Sequence, residues 1–179
     1  DLSALVIGHG PGSFTGLRTA CSVAQGLAMG ANLKVIPVDT LMAVAEDARA
    51  SLSAALTSQV SVVMDARMGE CYVGFYQKHD GIVQALAPEC LLKPEAIALP
   101  FEGEWIGAGT AFGAYAGQLA AAFTGAMQSI DAAALPQPEA LLQLAAYGFN
   151  SGLARAPEYI QPAYLRDKVA LTLAERAGT

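Results

Sequence analysis

Apolar positions alternate with helical stripes over the first third of the chain, and the pattern changes after Gln59. Ala4 to Ile7 is a short, continuous apolar run and predicts a strand buried on both faces. Gly8-His9-Gly10-Pro11-Gly12 then reads as a tight turn, because its glycines allow unusual backbone angles and Pro11 disfavours helix at Gly10. Ser13 is a good N-cap for a helix running to about Gly30, and Lys34 to Val38 predicts a second strand. A second helix from Thr40 to about Leu56, capped by Asp39 or Thr40, carries Leu41, Val44, Ala45, Ala48, Leu52 and Leu56 at helical spacing. Strand, helix, strand, helix in that order predicts parallel pairing and an α/β fold.

Beyond Gln59 the periodicity becomes that of a hairpin. Val60 to Met64 and Cys71 to Gln77 are joined by the polar loop Asp65 to Glu70, and a third strand is expected near Ile82 to Leu86. Trp105-Ile106 leads through Gly107-Ala108-Gly109-Thr110 into a helix of small residues ending near Phe123. Pro136 or Pro138 opens another helix, Glu139 to Gly152. The expected organisation is a first lobe over residues 1–57, a second over 58–156 and a C-terminal tail over 157–179.

Composition narrows the function. Ten basic residues against sixteen acidic ones give a net charge of −6, which argues against binding nucleic acid through the chain's own electrostatics. Hydrophobic residues make up 54% and charged residues only 15%, so part of the surface is expected to meet a partner. Cys21, Cys71 and Cys90 contain no CxxC, and His9 and His79 offer no metal-ligand spacing. These features predict a reduced, cytoplasmic chain. Glycine, proline and polar residues interrupt every long uncharged stretch, so no membrane span is expected.

Three features could carry chemistry. The turn containing Gly10 and Gly12, between a strand and a helix N-terminus, could cradle a phosphate or be purely structural, and no GK[ST] follows it. Asp65, Arg67 and Glu70 could form an acid/base pair, or a salt bridge closing the hairpin turn. His9 could act as a base, although no nucleophile with an orienting carboxylate can be placed beside it; the alternative is a solvated loop histidine. Cys71 and Cys90 read as small buried hydrophobes.

The helix after Ser13 is the most informative segment, since Arg18 is its only charged residue. Gly16, Ala20, Ala24 and Ala28 form an i, i+4 stripe of small side chains that would admit a second helix closely. If that stripe instead packs on the sheet, Arg18, Ser22, Gln25 and Met29 face outward. Either way the helix lacks the charges of a free surface, so an interface is expected.

Gly10-Pro11-Gly12-Ser13-Phe14-Thr15-Gly16-Leu17-Arg18, followed by Gln25-Gly26-Leu27-Ala28, resembles the signature of the TsaB (YeaZ-like) family. Asp65 to Tyr72 is similar to that family's hairpin motif, and Pro162-Ala163-Tyr164-Leu165-Arg166 to its C-terminal motif. The resemblance implies an actin-like or Hsp70-like ATPase fold of ribonuclease H-like type, with two lobes. It implies a non-catalytic scaffold without a cofactor of its own, which pairs with the catalytic subunit TsaD and docks the ATPase TsaE. The product of that assembly is threonylcarbamoylated adenosine next to the tRNA anticodon, and a homodimer is implied in the absence of TsaD. Phe14, Thr15, Arg18, Ser22, Gln25, Gly26 and Met29 would form the partner interface, and Asp65, Arg67, Glu70, Tyr164 and Arg166 the structural motifs.

The metal pair of TsaD-like proteins would fall on Thr40 and Val44, and valine binds no metal. Asp65-Ala66-Arg67 replaces the glycines that hold phosphate in nucleotide-binding relatives. The resemblance further implies that the opening strands and first helix of the first lobe precede Asp1, which would leave the Ala4 to Ile7 strand with an unpaired edge. Two other readings stay open from the residues: a glycoprotease-type peptidase using Asp65, Glu70 or His9, and a small-molecule kinase of the same superfamily.

Overall fold

The computed structural model describes residues 2–51 and 59–166. Strands β1 (Ala4–Gly10) and β2 (Lys34–Asp39) pair in parallel across the connecting helix α1 (Phe14–Ala31). Helix α2 (Thr40–Ser51) follows without a gap. The second sheet is six-stranded and mixed, with β3 (Gln59–Asp65), β4 (Cys71–His79) and β5 (Ile82–Ala85) in antiparallel succession. The short β6 (Cys90–Leu92) adds to β4, while β7 (Trp105–Ala108) and β8 (Met127–Asp131) extend the sheet in parallel from β3. Helices α3 (Ala111–Ala114) and α4 (Ala116–Phe123) lie between β7 and β8, and α5 (Pro138–Asn150) follows β8.

One core draws on both sheets. Ile36 and Val38 of β2, Leu41 and Val44 of α2, Val60 and Val62 of β3 and Leu144 of α5 are buried in a single cluster. Helix α2 thus lies between the sheets, which is why Leu41, Ala45 and Ala48 are fully covered on a helix whose apolar stripe is legible in the sequence. The other face of the large sheet packs Val63, Val73 and Trp105 under α3 and α4, where Phe75 meets Trp105 edge-on at 5.6 Å. A smaller cluster of Cys21, Ala24, Ala28, Val35 and Ile160 fills the space beneath α1.

Several sequence expectations need correction. Gly8, His9 and Gly10 are not a turn: β1 continues through them, pairing Gly8 with Val38 and Gly10 with Asp39 around an irregularity at His9. Parallel pairing with β2 overrides the local glycine signal, and the turn shrinks to the residues after a cis Gly10-Pro11 bond. The helix expected up to Phe123 is two helices meeting at Tyr115, whose backbone leaves the helical region. Strands β6 and β8 escape the sequence pattern, the first being only three residues long and the second mixing polar and apolar residues at a sheet edge. The expected last turn of α2, with Leu52 and Leu56, the lobe boundary after residue 57 and the tail beyond Arg166 lie outside the described residues.

Among the described residues β1 has a strand on one side only. The far edge of β2 is met by Arg155, which exchanges two 2.9 Å backbone hydrogen bonds with Val35. Among the described residues no helix is long and apolar enough to cross a membrane.

Candidate partner interface and motif junction

Helix α1 is set by its ends. The Ser13 hydroxyl accepts from Gly16 N at 3.1 Å, and Asn32 closes the helix in the left-handed region, with its N–H turned to the carbonyls of Ala28 and Met29. Leu17, Cys21, Ala24 and Ala28 are its buried residues, so the seam facing the sheet combines half of the expected small stripe with two larger side chains. Gly16 is exposed and Ala20 half-buried, because the seam runs through Leu17 and Cys21 instead.

The outward face follows from that seam. Thr15, Arg18, Ser22, Gly26 and Met29 from the expected interface are all exposed, and Phe14 and Gln25 are half-buried. Val23, Leu27 and Met29 are 53%, 61% and 66% exposed on a helix with a single charge. Val23 and Leu27, one helical turn apart, overlook the edge of β1 that carries no strand among the described residues. Together with Leu5, Ile7, Ala20 and Leu141 they line an open trough of about 670 Å³. Val23 and Leu27 are absent from the sequence-based interface because Val23 lies outside the quoted motif and Leu27, although within it, is an apolar side chain that reads as core.

The three sequence motifs converge at a second place. Residues 157–166 form a strap that crosses from α1 and β1 to the β3–β4 turn. Ala163 N donates to the His9 carbonyl at 2.8 Å, and Gln25 Nε2 donates to the Ile160 carbonyl at 3.0 Å. Phe14 and Tyr164 stack with centroids 4.2 Å apart, while Arg18 lies 4.5 Å over the Phe14 ring and donates from Nε to the Tyr164 hydroxyl at 3.0 Å. Arg166 ends the strap by pairing with Glu70 and donating to the Arg67 carbonyl at 3.2 Å. A cavity of about 280 Å³ remains between strap, turn and the start of α1. Gly10 is shaped by this strap: its φ is +135°, and a Cβ there would overlap the Ala163 carbonyl. Gly12 lines the cavity, and its carbonyl lies 3.5 Å from the Tyr72 hydroxyl.

The hairpin turn spends its polar groups on its own geometry. Arg67, Met68 and Gly69 are all left-handed, and Asp65 accepts from Arg67 N at 2.8 Å and from the Tyr115 hydroxyl at 3.0 Å. The hydrogen bond to Asp65 raises the Tyr115 pKa. Asp65 also pairs with the Arg67 guanidinium at 3.3 Å, whereas Glu70 turns to Arg166. The triad Asp65, Arg67 and Glu70 is therefore split between two contacts, a separation that the sequence does not reveal. Burial pushes the Cys71 thiol up to about 11, helped by Asp65 and Glu70, and Cys71 is fully covered as a small hydrophobe. Cys90 is half-buried.

Thr40 is half-buried and lines a cleft with Ser13, Asp65 and Thr110, and Val44 is fully buried in the central core. Among the described residues no group of three or more His, Cys, Asp or Glu is placed to hold a metal ion. His9 is not a solvated loop histidine: its Nε2 lies 3.2 Å from Asp39 Oδ1 and its Nδ1 3.3 Å from the Gln161 carbonyl. Sequence reasoning misses Asp39 and Gln161 as partners because their proximity depends on parallel pairing and on the course of the strap.

Comparison with known proteins follows the same lines. Residues 1–173 match the family described as TsaD, tRNA N6-adenosine threonylcarbamoyltransferase. The tRNA threonylcarbamoyladenosine biosynthesis protein TsaB of Escherichia coli (strain K12) is 38% identical over 174 residues, covering 95% of this chain and 73% of that protein. The TsaB of Haemophilus influenzae is 46% identical over 72 residues, 40% of this chain and 29% of that one. A crystal structure from Pseudomonas aeruginosa, described as an uncharacterized protein with similarity to peptidase YEAZ, superposes with a TM-score of 0.84 at 35% identity. It covers 92% of this chain and 74% of its own. A structure titled YeaZ from Pseudomonas aeruginosa gives 0.80 at 34% identity, over 90% and 74% of the two chains. The fold is accordingly the α/β type expected from the sequence pattern, of the actin-like, ribonuclease H-like kind that the resemblance implies. Motifs, fold and relatives agree, and the chain belongs to the TsaB (YeaZ-like) family, with a domain of the TsaD type.

Proposed function

We propose that the chain is a non-catalytic scaffold subunit in the biosynthesis of threonylcarbamoyladenosine in tRNA, working in the cytoplasm without a cofactor of its own. It pairs with the catalytic subunit TsaD, docks the ATPase TsaE on that pair, and forms a homodimer when TsaD is absent. Contact with tRNA is left to its partners, in keeping with the net charge of −6.

The supporting observation is the outer face of α1. A helix that ends against water normally presents charge there, whereas this one exposes Val23 and Leu27 on the flank beside β1 and Met29 on the opposite flank. Its one charge, Arg18, is turned onto Phe14 and Tyr164. Thr15, Ser22 and Gly26 lie between these flanks, exposed and with little side-chain entropy to lose on docking. Phe14, Arg18 and Gln25 bind the strap on the same helix and act by holding its orientation.

The test is light scattering after size exclusion on the full-length protein, alone and mixed with purified TsaD, for wild type and for Val23→Glu and Leu27→Glu. Both positions are exposed among the described residues, and melting temperatures measured alongside separate a loss of docking from a loss of folding. The heterodimer should weaken at least tenfold in each variant. Undiminished TsaD binding by both variants would remove α1 from the interface and leave the scaffold reading without its support.

A further inference from the structure

Five segments meet where the two sheets abut, and they bring four polar side chains with them. His9 comes from β1, Asp39 from the end of β2, Tyr76 from β4, Glu89 from the segment between β5 and β6, and the Gln161 carbonyl from the strap. His9 Nε2 lies 3.2 Å from Asp39 Oδ1, and His9 Nδ1 lies 3.3 Å from the Gln161 carbonyl. Both partners are acceptors. A neutral imidazole has one N–H and satisfies one of them, whereas an imidazolium satisfies both. The neighbouring groups favour the charged ring: Asp39 is the contact partner, and Glu89 lies within electrostatic reach of His9. Tyr76, fully buried, donates its hydroxyl to Glu89 Oε1.

We propose that His9 is a proton-operated latch, whose imidazolium ties the strap to the end of β2 and whose deprotonation frees the strap at Gln161. The strap forms one wall of the cavity beside Phe14 and Arg166, so its docking sets the shape of the motif junction. The titration behaviour agrees. The hydrogen bond to Asp39 raises the His9 pKa above 6.5, burial opposes this, and the Gln161 carbonyl and the charges of Asp39 and Glu89 add to the rise. Burial lifts the Glu89 carboxyl to about 7, with the Tyr76 hydrogen bond acting against it. Desolvation pushes the Tyr76 phenol far up, so it remains a donor. A histidine raised in the folded state contributes stability that is complete below pH 6.5 and fades as pH climbs through the folded value. The latch is therefore closed below pH 6.5 and opens as pH rises through the folded His9 midpoint.

The experiment is an NMR titration of the imidazole nitrogens in the full-length protein, with exposed His79 as reference. It is paired with hydrogen exchange over residues 157–166 at pH 6 and above the measured His9 midpoint, corrected for intrinsic rates. The His9 midpoint should lie above 6.5, and strap exchange should be several-fold faster above that midpoint. His9→Gln should remove most of that pH response, leaving only what Glu89 contributes, and Asp39→Asn should move the midpoint down. Glu89→Gln should move it down by less. A His9 midpoint at or below 6.5, or a strap response unchanged in His9→Gln, would overturn the latch. Should His9→Gln fold poorly, the ordered shifts in Asp39→Asn and Glu89→Gln decide, and an unmoved midpoint in both refutes it.

Discussion

Phe14 and Tyr164 stack in nearly parallel planes, 10° apart, so the first residue of α1 is covered by the C-terminal strap. Arg18 closes the arrangement by lying over the Phe14 ring while donating to the Tyr164 hydroxyl. The opening and closing motifs of the chain are thus one structural unit. The outer face of α1 keeps its orientation partly because the strap holds the helix at this end.

Two substitutions at Tyr164 separate the parts of this contact. Tyr164→Phe keeps the stack and loses a hydrogen bond at an exposed site, with an expected cost of about 0.5 kcal/mol. Tyr164→Ala loses the ring as well, with an expected cost of about 2 kcal/mol. Urea unfolding reads both, and limited proteolysis should show the strap cut earlier in Tyr164→Ala alone.

The two ion pairs of the hairpin motif should differ in worth. Arg166 and Glu70 are 13% and 33% exposed, and Arg166 is also fixed by the Arg67 carbonyl. Arg67, in contrast, is 87% exposed where it pairs with Asp65. Double-mutant cycles are expected to give a coupling of about 1 kcal/mol for Arg166–Glu70 and less than about 0.3 kcal/mol for Arg67–Asp65. A larger coupling for the exposed pair would contradict the account of the turn given by these contacts.

Local signals carry much of the fold. Ser13 as N-cap, the β3–β4 hairpin and the apolar stripe of α2 from Leu41 to Ala48 depend on residues close in sequence, and each appears where the pattern places it. What depends on distant partners is not legible. Gly8 to Gly10 are strand because β2 lies alongside, and β8 is strand because β7 does. The site divides in the same way: helical spacing leaves two orientations of α1 open, one of which turns Arg18, Ser22, Gln25 and Met29 outward, and of these Arg18, Ser22 and Met29 are exposed while Gln25 is half-buried. The burial of Leu17 and Cys21, which brings Val23 and Leu27 to the surface, requires knowledge of the angle at which α1 sits on the sheet. His9 looks like a loop residue because nothing near it in sequence announces Asp39 or the strap.

Glycines at the two ends of the first motif should respond oppositely to alanine. Gly10 has a φ of +135° and the Ala163 carbonyl where a Cβ would project, so Gly10→Ala is expected to cost about 3 kcal/mol and to loosen the strap. Gly26 lies within α1 with no neighbouring atom within 4 Å of the place a Cβ would occupy, and Gly26→Ala should stabilise the chain by about 0.5–1 kcal/mol. Thermal denaturation checks both signs. If Gly26 faces the partner, the stabilised Gly26→Ala variant should nonetheless bind TsaD less tightly, which separates its effect on folding from its effect on docking.

Two buried polar side chains, Glu46 and Ser61, make a contrasting pair. Glu46 is 1% exposed yet fully employed, pairing with Arg49 and accepting from Val83 N at 3.0 Å. Glu46→Ala would strip an acceptor from both a guanidinium and the first residues of β5, with an expected cost of about 3 kcal/mol. Glu46→Gln, which keeps an acceptor for Val83, should cost about half as much. Ser61 is also fully buried, but among the described residues its hydroxyl has no hydrogen-bond partner. Folding therefore desolvates the Ser61 hydroxyl without compensation, and Ser61→Ala is expected to raise stability by about 1 kcal/mol. Urea midpoints that fall for Glu46→Ala and rise for Ser61→Ala would support these assignments. A fall for Ser61→Ala would mean that its hydroxyl has found an acceptor in solution, and that this face of β3 is wetter than the apolar cluster around Trp105 and Phe112 indicates.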